Sequence, residues 1–141
     1  MQKAFIIDDN VKEAVGIITD LLATPGEISI EYGDIKAILN QRWPILISTG
    51  SGTGNNKVLK ACYDALINPW KETTIRAANI VLVNITGPMG LLLKEVNDGL
   101  DIIRESVSPS TEVIFGVACN SHLYNQARVT LLASAAEAIS A

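Results

Sequence analysis

A chain of 141 residues, 48% of them hydrophobic and 18% charged, has the composition of one folded domain with a sizeable core. The formal net charge is −4 and no block of Lys or Arg occurs, which argues against nucleic acid as the main partner. The apolar stretches are too short to span a bilayer and the first residues do not form a secretory signal. We therefore expect a cytoplasmic chain that does not bind a membrane directly.

The cysteines and the histidine exclude several kinds of site. Cys62 and Cys119 are far apart in the sequence and lie in apolar surroundings, which predicts two buried free thiols. The only histidine, His122, falls in a polar loop that we expect to be exposed. Because neither residue type is clustered, the sequence predicts no metal site and gives little support to a histidine-dependent catalytic triad.

The chain opens with an amphipathic helical pattern. Apolar residues recur at helical spacing from Val11 to Leu22, and Asn10 with Glu13 could cap the start of this helix. The apolar segment 5–7 precedes the cap and has no obvious partner in the sequence. We expect either that the helix begins earlier or that this segment packs against a missing domain.

Residues 24–34, with the sequence TPGEISIEYGD, separate this helix from a shorter helical pattern. Pro25 and Gly26 end the first helix, and Asp34 opens the second. Ser29, Glu31 and Asp34 place one hydroxyl and two carboxylates in this segment. Such a loop can position a water for attack on a phosphate. Alternatively, the acids serve the first turn of the following helix, where its dipole favours negative charge.

The rest of the chain alternates between strand and helix patterns. Apolar or β-branched runs predict strands at 45–49, 78–85, 112–119 and 127–133. Between them, helical spacing of apolar residues predicts helices at 58–66 and 92–107. The order predicts an α/β protein with a four-stranded mixed sheet, two helices on one face and the long N-terminal helix on the other side.

A glycine-rich segment, GSGTG, runs from Gly50 to Gly54 between the first of these strands and its helix. Backbone amides in that arrangement can cradle a phosphate. Asn55 and Asn56, however, stand where a phosphate loop has its final Gly and Lys, and Asn55 replaces the third Gly of a dinucleotide fingerprint. The other interpretation is a flexible strand-to-helix turn capped by Asn55.

Several segments, in this order, resemble the C-terminal half of the FtsZ family, the relatives of tubulin. They are DLLATPGEISIEYGD at 20–34, the glycine turn after Ile47, VLVNITG at 81–87 and RVT at 128–130. The resemblance runs from about Asn10 to Ala133. It implies that residues 1–23 end a central interdomain helix, that 24–134 form an FtsZ-like C-terminal domain, and that 135–141 form a tail.

In the FtsZ family, the loop after the central helix enters the nucleotide pocket of the next subunit and completes a GTPase site there. The family's Asn, Asp and Asp fall on Ser29, Glu31 and Asp34. The resemblance therefore implies that Glu31 and Asp34 are catalytic in trans, with Ser29 in support. Asp34 matches the pattern, whereas Glu31 is one methylene longer and Ser29 lacks the amide. GTP and Mg²⁺ are expected in the adjacent subunit's N-terminal domain, and no cofactor is expected on this chain alone.

The resemblance also implies a homopolymer of FtsZ-like subunits in longitudinal contact, acting in cell division. The family's nucleotide-binding half would precede the central helix. We therefore expect the isolated chain to be inactive as a GTPase, and to be a fragment or a short homologue. Two other functions stay open: an α/β domain that binds a phosphate or nucleotide through Gly50–Gly54, and a stand-alone regulator that caps filaments.

Overall fold

The structure, a computed structural model, describes residues 4–7, 45–67 and 78–134. In chain order the elements are β1 (Ala4–Ile7), β2 (Ile45–Thr53), α1 (Lys57–Leu66), β3 (Ile80–Gly87), α2 (Leu93–Glu105), β4 (Glu112–Cys119) and β5 (Gln126–Ser134). The predicted N-terminal helix, the acidic segment 24–34 and the tail 135–141 lie outside the described residues. Neither described helix is long and apolar enough to cross a membrane.

The strands form one mixed sheet in the order β1-β2-β5-β3-β4. β5 pairs antiparallel with both β2 and β3, whereas β4 pairs parallel with β3. The predicted four-stranded mixed sheet, β2 to β5, is therefore confirmed. The crossover patterns did not reveal that β5 lies between β2 and β3, so that these two strands run in the same direction without touching.

β1 adds a fifth strand at the edge of this sheet. It pairs antiparallel with β2, with Phe5 opposite Ile47 and Ile6 opposite Leu46. The prediction that the helix begins earlier is therefore wrong for segment 5–7, and the segment does have a strand partner within the chain. The free edge of β2 offers unpaired backbone groups, and a segment rich in β-branched and aromatic residues pairs readily with such an edge.

Both helices cover the same face of the sheet, as predicted. The buried core lies between them and the strand residues that point to that face. Alternation along each strand supplies these residues. From β3 they are Val81, Val83 and Ile85, from β5 Ala127, Val129, Leu131 and Ala133, and from the helices Val58, Ala61, Cys62, Ala65, Val96, Leu100 and Ile103.

The predicted glycine turn is wrong at its start, because β2 continues through Gly50 and Gly52 as far as Thr53. A Cβ atom at Gly50 would collide with the carbonyl oxygen of Ala61 and the amide nitrogen of Ala65 in α1. The glycines are therefore explained by packing, since they let the backbone of α1 lie directly on β2.

The turn itself spans only the residues between β2 and α1. Gly54 has φ +77°, and Asn56, with φ 58°, is the residue that caps α1. The predicted cap, Asn55, is therefore one residue too early, and the Asn56 side chain makes no capping hydrogen bond. Asparagine is among the few residues that tolerate this left-handed conformation, which accounts for its place here.

Candidate functional site

The predicted catalytic residues, Glu31 and Asp34, and their supporting residue Ser29 lie outside the described residues. Their roles therefore stay predictions. The described part of the chain offers three other surfaces that could carry function: the glycine segment of β2, the sheet face opposite the helices, and an apolar cavity beside β4.

Backbone amides of the glycine segment are already hydrogen-bonded at Ser51 and Gly54. The N–H of Ser51 donates to Oδ2 of Asp64 at 3.0 Å, and the N–H of Gly54 donates to the carbonyl of Asn125, also at 3.0 Å. Alternate residues between them face β5 and belong to its antiparallel ladder. A carboxylate thus occupies the place where a phosphate oxygen would bind, and its negative charge would repel a phosphate.

The lysines nearest this segment are engaged as well. Nζ of Lys57 lies 2.8 Å from Oε1 of Glu95, and Nζ of Lys60 donates to the carbonyl of Thr53 at 3.1 Å. Amides and cations that a phosphate would need are therefore used within the fold. Within residues 45–67 and 78–134 together with 4–7, no group of three or more His, Cys, Asp or Glu side chains could hold a metal ion.

The sheet face opposite the helices is divided into an apolar and a polar half. Across the apolar half, Ile47, Leu132 and Leu82 lie side by side on β2, β5 and β3 and are buried. The next two rows are polar. They contain Thr49, Thr130 and Asn84, and then Ser51, Arg128 and Thr86.

Arg128 is the charged centre of the polar half. Its side chain is exposed, and hydroxyl residues flank it on both neighbouring strands. Nearby, Nδ2 of Asn84 lies 3.4 Å from Oγ1 of Thr86, to which it donates. Sequence reasoning did not single out Arg128 as a surface residue, although its alternation with buried Val129 was the available signal.

An apolar cavity of about 320 Å³ opens beside the C-terminal half of β4. It lies between that strand and the start of α2. Its side-chain lining comes from Met89, Leu91, Leu93, Val96, Val117 and Cys119. Met89 and Leu93 are 68% and 67% exposed, so the cavity mouth is an apolar surface.

The two cysteines and the histidine can be compared with their predictions. Cys62 is fully buried as predicted, but Cys119 is only half-buried, so the prediction of two buried thiols is wrong for Cys119. The strand that carries Cys119 lies at the edge of the described sheet, where one side of it lacks a neighbouring strand. His122 is exposed, as predicted.

The described residues define a two-layer α/β domain with both helices on one face of a mixed sheet. Residues 45–137 match the model of the FtsZ family, C-terminal domain. The match takes in more than half of the chain, and the chain therefore belongs to the FtsZ family.

Individual relatives match nearly the whole chain. The chain is 31% identical over 135 residues to the cell division protein FtsZ of Mycoplasmopsis pulmonis, covering 95% of this chain and 35% of that protein. It is 34% identical over 134 residues to the cell division protein FtsZ of Caulobacter vibrioides, covering 94% and 26%. The chain thus spans between a quarter and about a third of the length of these relatives.

Solved structures show the same fold. An FtsZ dimer from M. jannaschii, described as empty, superposes with a TM-score of 0.75 at 24% sequence identity. The superposition covers 89% of this chain and 37% of that one. At this identity the likeness concerns the fold alone, and it agrees with the family match.

Proposed function

We propose that this chain supplies the C-terminal domain of an FtsZ-like GTPase that polymerises in the cytoplasm during cell division. Its segment 24–34 presents Glu31 and Asp34 to the nucleotide of the neighbouring subunit, with Ser29 in support. One observation carries the proposal: the 34% identity to a cell division protein FtsZ extends over 94% of the chain. Only the extreme ends stay unmatched, so the acidic segment lies within the matched region.

The chemistry of the segment suits this role. A carboxylate within reach of a water can orient it, or accept its proton, as it attacks a phosphoryl group. The metal ion and the phosphates themselves are held by the other subunit, where GTP and Mg²⁺ are expected. The domain then needs to supply only a positioned acid. Because the Glu31 carboxylate is one methylene further from its backbone than aspartate, Asp34 is the stronger candidate for that acid.

The contacts of the glycine segment of β2 favour a domain that completes the site of a neighbouring subunit. They do not favour a domain that binds a phosphate itself. Its amides are hydrogen-bonded to Asp64 and Asn125, and its nearest lysines are engaged with Glu95 and Thr53. Binding a phosphate there would require breaking these bonds and placing the phosphate beside the carboxylate of Asp64. The alternative function through Gly50–Gly54 therefore has no support from the described contacts.

A chimera tests the proposal. Residues 1–141 replace the corresponding part of an active FtsZ-family protein, and Asp34→Asn and Glu31→Gln are introduced separately. Each change removes a carboxylate and keeps the side chain's size. Loss of a general base or water-positioning group lowers a rate by about 10²–10⁴-fold, so we expect Asp34→Asn to reduce polymer-dependent GTP hydrolysis by about that factor. Glu31→Gln should have a smaller effect.

Two controls make the result specific. Nucleotide binding, measured by fluorescence of a labelled GTP analogue, should be unchanged because the nucleotide is held by the other domain. Glu105→Gln, which neutralises an exposed acid at the end of α2, should leave hydrolysis unchanged. If Asp34→Asn polymers form normally and hydrolyse GTP at the rate of the unaltered chimera, the proposed role of the segment is wrong.

A further inference from the structure

β4 forms an edge of the described sheet. Among residues 4–7, 45–67 and 78–134, only β3 pairs with it. From Val113 to Cys119 the strand contains no charged residue and no proline, the devices with which proteins usually prevent edge strands from pairing. This edge is therefore suited to receive another strand.

Hydrogen bonds at the two ends of β4 show which of its backbone groups face outward. The N–H of Glu112 donates to the carbonyl of Asn79 at 2.9 Å, and the N–H of Asn120 donates to that of Gly87 at 2.8 Å. Even-numbered residues of β4 thus turn their N–H and C=O groups toward β3. Successive residues alternate in this respect, so the odd-numbered ones direct these groups away from the sheet. They are Val113, Phe115, Val117 and Cys119.

We propose that a second copy of this chain occupies this edge, with β4 pairing antiparallel to β4 about a twofold axis. One register uses every outward-facing residue: Gly116 lies opposite Gly116 of the second copy. Phe115 then lies opposite Val117, and Val113 lies opposite Cys119. Each of these pairs exchanges two backbone hydrogen bonds, because residues with outward-facing groups meet each other.

The cavity beside β4 is the reason for choosing a second copy as the occupant. Opposite residues of an antiparallel pair project from the same face of the sheet. Phe115 of the second copy, opposite Val117, therefore projects on the face that bears the cavity lined by Val117, Cys119 and Val96. Phe115 also packs against the core of its own copy, and the part of its ring that stays exposed covers the mouth of this apolar space. The twofold axis covers both cavities at once.

The remaining pairs in this register are also compatible. On the opposite face, Ile114 meets Ala118, a large side chain against a small one, and Glu112 meets Asn120, so no like charges are opposed. The contact joins the same surface of both copies. It is therefore distinct from a head-to-tail filament contact, and it goes beyond the proposed function.

A disulfide tests the register. Val113→Cys places a thiol opposite the native Cys119 of the second copy, with Cα atoms about 5.5 Å apart, inside the usual disulfide range of about 4.4–6.8 Å. Within one chain the two positions are separated by about 20 Å of strand, at about 3.3 Å per residue. Their disulfide can therefore form only between copies. We expect mild oxidation with diamide to give a covalent dimer, with positions 113 and 119 joined in the peptide map.

Two variants control the crosslink. Glu112→Cys moves the added thiol by one residue to the other face, and it should yield less crosslinked dimer by about tenfold, a difference equivalent to about 1.4 kcal/mol. Val113→Cys combined with Cys119→Ser should yield no dimer crosslinked between positions 113 and 119, because the second thiol is missing. Equal crosslinking from positions 112 and 113 would overturn the register.

Sedimentation of the uncrosslinked chain tests the pairing itself. We expect a reversible dimer, and Phe115→Ala should raise its dissociation constant by about tenfold or more, the effect of losing a buried aromatic contact. Tyr124→Ala removes an aromatic side chain that is 88% exposed and outside the contact. It should leave the dissociation constant of the dimer unchanged. Circular dichroism establishes that both variants are folded. A chain that stays monomeric up to millimolar concentration, without the 113–119 crosslink, would refute the proposal.

Discussion

The ammonium group of Lys57 lies 2.8 Å from Oε1 of Glu95, and this ion pair joins the first turn of α1 to the first turn of α2. The two side chains are only 12% and 17% exposed. Oε2 of the same carboxylate lies 3.4 Å from the amide nitrogen of Leu92, so Glu95 also satisfies a free N–H group at the start of α2. A cation in the first turn of α1 is unfavourable for the helix dipole, and Glu95 compensates for it.

A double-mutant cycle measures what this pair contributes to stability. Lys57→Met and Glu95→Gln should each lower the free energy of unfolding by about 1–3 kcal/mol, because each leaves a largely buried charge without its partner. The double variant should lose less than the sum, with a coupling of about 1 kcal/mol or more. Urea unfolding followed by circular dichroism gives all four values.

An exposed ion pair in α2 is the matched control. Lys94 and Asp98 are 3.0 Å apart and four residues apart, with side chains 83% and 38% exposed. Their coupling in the same cycle should be about 0.3–0.5 kcal/mol. If both pairs give the same small value, burial does not strengthen the contact between the helices.

Two glycines with different surroundings give a second prediction. At Gly50, an added methyl group meets backbone atoms of α1, which can move only if the helix moves. Gly50→Ala should therefore lower the free energy of unfolding by about 3 kcal/mol or more. Gly90 has φ +83° and open space around it, so Gly90→Ala should cost only about 1 kcal/mol for its backbone conformation. Thermal and urea unfolding should separate the two; equal losses would contradict the close packing of α1 on β2.

The elements that depend on local pattern were predicted well. The strand at 112–119 and the apolar faces of both helices follow directly from periodicity, because the spacing of apolar residues shows which side of an element is buried. The sequence did not show which strands far apart in the chain pair with each other. The insertion of β5 between β2 and β3, and the attachment of β1 to β2, depend on which edge is free after the other strands have paired.

The glycine segment shows how the same pattern can have two causes. Strand, glycines and helix in succession are typical of a phosphate loop, and the same succession occurs where a strand packs closely under a helix. The structure distinguishes the two through Asp64 in the following helix, α1. Its carboxylate accepts a hydrogen bond from the backbone N–H of Ser51. Likewise, the functional role predicted for Glu31 and Asp34 rests on the family resemblance, since their positions alone also suit a helix start.

The hydrogen bond from the Ser51 N–H to Asp64 leads to a third prediction. The isolated chain should not bind GTP or inorganic phosphate in isothermal titration calorimetry, and should not hydrolyse GTP in magnesium buffer. The amides of Ser51 and Gly54 and the nearby lysines already have partners, and Asp64 repels an added anion. Micromolar binding that is lost in a Lys60→Met variant would instead show that the segment opens to hold a phosphate.

The buried thiol of Cys62 makes stability depend on pH. Burial raises the pKa of the Cys62 thiol from 9.0 to about 12, because a thiolate would be poorly solvated between α1 and α2. Below pH 9 the thiol is protonated in both the folded and the unfolded chain, so it causes no pH dependence there. Between pH 9 and about 12 the unfolded chain loses this proton while the folded chain keeps it. Ionisation then favours unfolding, and this contribution to stability falls as pH rises, by up to about 1.4 kcal/mol per pH unit.

Other groups titrate in the same range, so the prediction concerns a difference between two chains. Cys119→Ser retains Cys62 as the only cysteine, and Cys62→Ala in that background removes the titrating thiol. The gap in unfolding free energy between them should shrink as pH rises from 9 to 11, because only the first chain loses the thiol's contribution. At pH 8, iodoacetamide should label Cys119→Ser only as fast as the chain unfolds, whereas the natural chain reacts at half-buried Cys119. Rapid labelling of the folded Cys119→Ser chain, with a gap independent of pH, would mean that Cys62 is reached by water and that α1 and α2 do not pack tightly over it.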